Sequence, residues 1–452
     1  MKIVIVGAGE IGSHLAKMLS HEANDITVID SDSDRLTHLA TLADVATVHG
    51  DPSSIRVLKE AGVPQTDLFI SVMPFVPQDV NLICALLAKN LGAKKVTARV
   101  DDEEYLLSDN KLIFKQMGIE LLFYPEKLSS DEIVDQLKHT ATAESMDFGR
   151  GKLQIAVFKL EEDSPLIDMR LSEFAASASS DTVQFRVIAV SHNNQTIIPK
   201  FDYKFRYHDL VFIISHREGI QALMKFLGKS NIEIGRVMIL GGTPIGEMVA
   251  RQLSKQIDDI KIIEADRDRC LELSERLDDK VIIVNGDGRN SDMLLEEGIK
   301  DYDAFLALTK NDEANVLACV VAKKFGVSRT IADVENIEYI SLAEEMGVDA
   351  VINRKLITAG RIFKFTLSGK ARMVRYMSGT EAEVLEYTAA PGSAITKAPL
   401  REISFPKDAV IGGVIRGTEG LIAVGDTQIE AYDHVAVFAL PSAVKEVDKL
   451  FR

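Results

Sequence analysis

Three glycines, Gly7, Gly9 and Gly12, follow the apolar run KIVIV near the start of the chain, in the stretch GAGEIGSHLAKML. This spacing suits the gripping of phosphate. The first glycine permits a tight turn, the second lets the backbone approach a pyrophosphate, and the third lets the next helix lie close on the strand. That helix should open near Glu10, so Ala8, Gly9, Glu10, Ile11 and Gly12 would present backbone N–H groups and a partial positive charge to the phosphates. Asp30 ends the next apolar run, ITVID, where a carboxylate can accept from ribose hydroxyls. A negative charge there repels a 2′-phosphate, which favours NAD(H) or an adenine nucleotide over NADP(H). Asp51, in VHGD, is placed for the adenosine end, and Arg99, in TARVD, for a second grip on phosphate.

Groups that would transform such a ligand are missing from the pattern. There is no HExxH spacing, no GxSxG elbow and no cysteine in a nucleophile context. The nine histidines are scattered; His14 and His49 are near the ligand segment but lack a catalytic partner in sequence. The expectation is a non-enzymatic site that reads its nucleotide. A dehydrogenase-like enzyme of unknown substrate and a scaffold with a vestigial site stay open as alternatives.

Alternating short β-rich and helical runs must position these residues. Strands are predicted near 2–6, 26–30, 45–48, 67–72, 95–100 and 119–123, with helices such as 10–21, 54–61 and 79–91 between them. That alternation implies parallel βαβ units in a doubly wound sheet. The whole pattern is then repeated. Gly7, Gly12 and Asp30 fall on Gly241, Gly246 and Glu264 at one offset, and NLICALLAKNLG falls on NVLACVVAKKFG. The fold class is therefore α/β, a duplicated Rossmann-like sheet, each copy followed by a small α+β lobe. The expected boundaries are 1–142, 143–228, 229–366 and 367–452. The segment PEKLSSDEIVDQLKHTATAES reads as a linking or crossing helix. Its Leu128, Ile133, Val134 and Leu137 either face a partner or pack on their own sheet.

The second copy has drifted. Thr243 and Pro244 stand where the first copy has Gly9 and Glu10, and Asp333 stands where it has Arg99. Glu264 could still hold a ribose, so a weak second site, or none, is expected there.

The totals exclude several classes. A formal net charge of −16 argues against nucleic acid and against direct adhesion to anionic lipid. No apolar run approaches the roughly 18–20 residues of a membrane-spanning helix, so no direct membrane insertion is expected. Cys84, Cys270 and Cys319 lack a CxxC spacing and read as reduced and buried, and the chain as cytoplasmic.

The stretches MKIVIVGAGEIGSHLAKMLS, ITVIDSD, VHGD and TARVDDEEY together resemble the nucleotide-binding half of an RCK (KTN) domain. EEDSPLIDMRLSEF and TIIPKFDYKFRYHDLVFIIS resemble its companion C-terminal half. Two such domains in one chain are similar to the peripheral regulatory subunits of potassium uptake systems. The resemblance implies NAD(H) or ATP/ADP in the large lobe, with Gly7, Gly9, Gly12, Asp30, Asp51 and Arg99 as contacts. It further implies a homotetrameric ring with large lobes at the ring contacts, and a membrane potassium-transporting partner of the TrkH/TrkG type. An RCK regulator of a different cation transporter is the alternative. Two departures stand out. The fourth-strand loop SVMPFVPQDVN is longer than LTKNDEAN of the second copy, which is the more family-like version, and His208 replaces the family's glycine before aspartate.

Overall fold

The computed structural model describes residues 1–20, 24–73, 78–138, 144–149, 151–160, 164–178, 184–192, 195–228, 233–366, 371–376 and 382–452. The long fourth-strand loop, with Pro74 and Pro77, lies outside the described residues.

The first large lobe runs β1 (Lys2–Val6), α1 (Glu10–Ser20), β2 (Asp25–Asp30), α2 (Ser33–Leu42), β3 (Ala46–His49), α3 (Ile55–Glu60), β4 (Leu68–Ser71), α4 (Gln78–Leu91), β5 (Lys95–Arg99), α5 (Ser108–Gln116), β6 (Leu121–Phe123) and α6 (Pro125–Lys138). Its strands form one parallel sheet in the order β3-β2-β1-β4-β5-β6. The order reverses between β1 and β4, which opens a crevice at the carboxyl ends of the strands. β1 and β4 are apolar almost throughout because helices cover both faces.

An antiparallel lobe follows: β7 (Glu144–Phe148), β8 (Leu153–Lys159), α7 (Leu171–Ala178), β9 (Phe185–His192), β10 (Gln195–Ile197), β11 (Leu210–Ser215) and α8 (Arg217–Phe226), in the sheet order β10-β9-β11-β8-β7. The second half repeats this plan. Its large lobe has β12 (Arg236–Leu240), α9 (Pro244–Leu253), β13 (Asp259–Glu264), α10 (Arg267–Arg276), β14 (Val281–Asn285), α11 (Ser291–Glu296), β15 (Ala304–Ala307), α12 (Asp312–Lys324), β16 (Arg329–Asp333), α13 (Glu338–Glu345), β17 (Ala350–Ile352) and α14 (Arg354–Thr366). The sheet order, β14-β13-β12-β15-β16-β17, is that of the first copy. The last lobe has β18 (Ala371–Tyr376), β19 (Glu383–Thr388), β20 (Ala409–Arg416), β21 (Glu419–Ile422), β22 (His434–Ala439) and α15 (Val444–Leu450).

The halves exchange helices. Ile133, Val134 and Leu137 of α6 are buried in the core of the second large lobe, with Val237, Ile239 and Ile245. Ala359 and Ile362 of α14 are buried with Ile3, Ile5 and Leu15 of the first. The apolar stripe on α6 therefore has a partner within the same chain, and Leu128 packs on the first-half core. Polar contacts fix the register: the Ser130 hydroxyl accepts from the Gln252 side chain at 3.1 Å, and the Gln136 side chain accepts from buried Arg329 at 3.0 Å.

The small lobes also meet. Phe148, Leu153, Ile155 and Ile214 share one core with Val384, Val410, Ala436 and Phe438. Strand β20 carries two glycines there because space is lacking: a β-carbon on Gly413 would lie 2.4 Å from Leu153, and one on Gly412 would lie 3.0 Å from Ile188.

Candidate nucleotide-binding site

Gly7 takes φ +104°, a backbone conformation open to glycine, and its amide donates to the Ile29 carbonyl at 2.8 Å. This bends the chain across the crevice mouth. Gly12 sits so close that a β-carbon on it would be 1.8 Å from the Gly7 carbonyl oxygen. The loop and the first turn of α1 thus depend on both glycines. Asp30, 8% exposed, ends β2 beside the loop. Its carboxylate accepts from the Ala8 amide at 2.5 Å and from the Asp32 amide at 2.9 Å. Asp32 in turn caps α2, accepting from the amides of Asp34 and Arg35. The Asp30 carboxylate therefore ties the loop to the end of β2.

Asp51 follows β3, and its carboxylate is open to solvent. The Ser53 amide and hydroxyl both donate to it at 2.8 Å and hold its carboxyl below the ordinary carboxylate range. The structure thus gathers Gly7 through Gly12, Asp30 and Asp51 at adjacent strand ends of one crevice. His49 bonds the Ser31 carbonyl through Nε2 at 3.0 Å.

Arg99 occupies the end of β5, but its guanidinium is engaged. Nε donates to Asp101 at 2.9 Å, and Nη2 to Glu126 of α6 at 3.3 Å. Glu126 also receives Arg354 of α14 at 3.4 Å, and Arg354 pairs with Glu335 and approaches Asp333 at 3.9 Å. Arg99 and Asp333, equivalent positions of the two copies, thus terminate one ion network that spans the two halves. Asp333 is buried, and its Oδ1 has no hydrogen-bond partner among the described residues. Burial pushes its carboxyl up to about 6, opposed by the charge of Arg354.

The second copy retains an open cleft of about 510 Å³, lined by Gly241, Gly242, Glu264, Asp287, Arg269 and Lys310 among others. Glu264 accepts from the Gly242 amide at 2.6 Å, the counterpart of the Asp30 bond. Its loop offers fewer free amides than the first, however. The Thr243 hydroxyl accepts from the Gly246 amide at 3.3 Å, and Pro244 has no N–H to offer. Arg269 is tied to the Gly242 carbonyl at 2.7 Å and to Glu247 at 2.6 Å. Arg289 lies on Asp287 at 2.7 Å and holds that carboxyl down at about 2.

Models of known families match the same segments. The TrkA-N domain matches residues 3–125 and 237–354, and the TrkA-C domain matches residues 155–228 and 384–452. The chain belongs to the TrkA family. A Trk system potassium uptake protein TrkA of Halomonas elongata is 33% identical over 457 residues, covering 100% of this chain and 99% of the relative. A TrkA homolog of Archaeoglobus fulgidus is 34% identical over 454 residues, covering 100% of both. Among solved structures, the GsuK channel bound to NAD shares the fold with a TM-score of 0.61 at 16% identity, over 100% of this chain and 78% of that one. The GsuK channel bound to ADP does so with a TM-score of 0.52 at 14% identity, over 81% of this chain and 69% of that one. The TrkA-family duplication is thus two RCK-like units in tandem, as the glycine offsets imply.

Sequence reasoning missed Glu126, Arg354 and Lys355, which come to the first half from the exchanged helices or act between them. Their only sequence signal is the pattern that aligns α6 with α14, and that pattern does not say which sheet each helix covers.

Among the described residues no helix is long and apolar enough to cross a membrane, and no three His, Cys, Asp or Glu side chains gather to hold a metal ion. Cys84, Cys270 and Cys319 are all unpaired and buried.

Proposed function

We propose that this TrkA-family chain is a cytoplasmic, nucleotide-sensing regulatory subunit of a potassium uptake transporter, held at the inner face of the membrane by its partner. The first crevice binds NAD(H) or ATP/ADP through Gly7–Gly12, Asp30 and Asp51, and ligand identity biases the shape passed to the pore. The observation that carries this reading is the glycine loop tied to Asp30 by the Ala8 amide, at the point where the strand order reverses. The TrkA relatives are potassium uptake proteins, and GsuK channels of the same fold have been seen bound to NAD and to ADP. In this reading the lobes are bounded at residues 142, 228 and 366, the partner is a membrane subunit of the TrkH/TrkG type, and the chain carries no catalysis of its own.

Assembly into a homotetramer is supported by apolar side chains left open on the large lobes. Leu107, Leu112, Ile113 and Met117 on and beside α5 are each at least half exposed. Isolated exposed apolar residues are ordinary, but a cluster on one helix marks a contact surface.

The second cleft, with Glu264, is a weak site or none, because Pro244 lacks an N–H, the Gly246 amide is capped by Thr243, and Arg269 and Arg289 are already paired. Arg99 acts on phosphate only if a ligand draws it from Asp101 and Glu126.

Calorimetric titration of the full chain with NAD⁺, NADH, ATP and ADP tests the proposal. Saturable binding near one site per chain, with affinities that differ among the four, is expected. Absence of binding by all four would leave the site vestigial. Asp30→Asn removes the charge and turns one of the two amide-accepting oxygens into a donor, so affinity should fall about tenfold or more for all four ligands. Turnover of NADH with added metabolites would instead favour an enzyme.

A further inference from the structure

Lys355 is the second residue of α14, a helix that begins in the second half and leans on α1 of the first. Its ammonium stands 3.1 Å from the carboxylate of Glu10, the first residue of α1 and the neighbour of Gly9. The two groups are unequal partners. The lysine side chain is 17% exposed and the glutamate side chain 61% exposed, so the lysine stem is fixed by packing while Glu10 is free to swing away.

The base of α14 is also rigid. The Asn353 carboxamide accepts from the Leu356 amide at 3.0 Å and donates to the carbonyls of Val334 and Glu335 at 2.7 and 3.1 Å. Arg354 beside it is held by Glu335 and Glu126. Lys355 is thus aimed by the second half at one spot, the entrance of the first glycine loop.

A cation at that spot is paradoxical without an anion. The start of α1 already carries partial positive charge. Burial, together with the charge of Lys355, holds His14 on the same helix below its ordinary value, and its Nε2 has no hydrogen-bond partner among the described residues. An ammonium delivered there by a preset helix fits a more strongly anionic occupant than one exposed carboxylate. The copies do not match in this respect. β17 starts 229 residues after β6 (350 against 121), which aligns Lys355 with Glu126 on α6, an acid bound to Arg99 and Arg354.

We propose that Lys355 is a phosphate-binding residue of the first nucleotide site, supplied across the pseudo-dimer by the second half, with Glu10 as the group that holds it when the site is empty. This rests on the nucleotide reading of the first crevice. A phosphoryl group on the glycine loop takes the ammonium from Glu10, forming a charge-assisted hydrogen bond in a half-buried setting. The contact grows with the number of phosphates and is absent for a nucleoside. Because α14 packs against β18, ligand charge at the first site acts directly on an element of the second half.

The test is calorimetry on the full-length chain, as wild type, Lys355→Gln and Glu10→Gln, with adenosine, ADP and ATP. Lys355→Gln should weaken ATP and ADP about tenfold and leave adenosine within about twofold. An equal loss for all three would show that the lysine only props α14, and an unchanged ATP-to-adenosine ratio would remove it from the site; either overturns the proposal while the nucleotide reading stands. No binding of any ligand by the wild type would overturn both. Should Lys355→Gln fail to fold, Glu10→Gln, altered at an exposed side chain, carries the decision. Released from its carboxylate, Lys355 should raise the ATP-to-adenosine ratio about threefold, and a ratio equal to wild type overturns the proposal.

Discussion

The two large lobes share a strand order, a positive-φ glycine after the first strand and a carboxylate on the loop amide, yet their crevices are not in the same chemical state. In the first, Asp51 is held, among the described residues, by Ser53, and no side chain stands at position 9 to cap α1. In the second, Asp287 is neutralised by Arg289, the Gly246 amide by Thr243, and Arg269 by Glu247 and the Gly242 carbonyl. The sheet and its core are common to both copies, while in the second several polar groups of the cleft already have internal partners. A cleft's volume says little about occupancy when several of its polar groups already have partners.

The largest test of this contrast is steric. Gly12→Ala places a methyl 1.8 Å from the Gly7 carbonyl oxygen, and Gly246→Ala places one 2.2 Å from that of Gly241. Each should lower stability by roughly 3 kcal/mol or more. Only Gly12→Ala should abolish nucleotide binding; loss of binding in Gly246→Ala as well would show that the crevices are not independent. Differential scanning calorimetry with and without ATP separates the outcomes.

A smaller effect concerns the buried acid that replaces Arg99 in the second copy. Asp333 has a folded-state value raised to about 6 by burial, so its neutral form favours folding. That contribution is fully present below about pH 4, where the unfolded carboxyl is also protonated, and is lost as pH rises through 6. Asp333→Asn should therefore melt higher than wild type at pH 8, by on the order of 2 kcal/mol, with the gap closing by pH 4. A constant gap at both pH values would mean that Asp333 is ionised throughout, satisfied by Arg354.

The double change Thr243→Gly with Pro244→Glu restores two open amides to the second cleft. A second, weaker binding event per chain is expected by titration. An unchanged stoichiometry would place the block in Arg269 and Arg289 instead.

The smallest effect lies in the small lobes, where the copies agree. His208 at φ +67° and Tyr432 at φ +71° each precede a buried aspartate. Asp209 accepts from Tyr203 at 2.8 Å and the Arg206 amide at 2.9 Å, and Asp433 pairs with Arg416 at 2.7 Å. The turn needs the left-handed conformation whatever residue occupies it. His208→Gly should raise stability by about 0.5–1 kcal/mol, relief of the left-handed strain being partly offset by glycine's chain entropy. A drop in melting temperature would show that the contact of the His208 ring with Tyr207, centroids 3.8 Å apart, outweighs the strain.

Much of the architecture was legible because local signals agree with the global fold. Strands expected at 26–30, 95–100 and 119–123 appear as Asp25–Asp30, Lys95–Arg99 and Leu121–Phe123, since apolar runs covered on both faces have one stable use. The placement of the loop Gly7–Gly12 beside Asp30 was legible for the same reason: it is set by backbone geometry within one βαβ unit. Arg99 was less so. Its position at a strand end could be read, but its partners, Asp101 and Glu126, include a helix whose packing no local pattern announces.

What the sequence determined by itself is therefore the duplication, the parallel order implied by alternating elements, and the place where phosphate could approach the backbone. These follow from periodicity and from glycine's freedom at φ +104°, both local properties. Only the tertiary structure decided that α6 and α14 trade places, that Arg99 and Asp333 share one ion network, and that Lys355 reaches Glu10. An amphipathic helix buries its stripe equally well on either of two similar sheets. The choice between them rests on the summed packing of the whole chain.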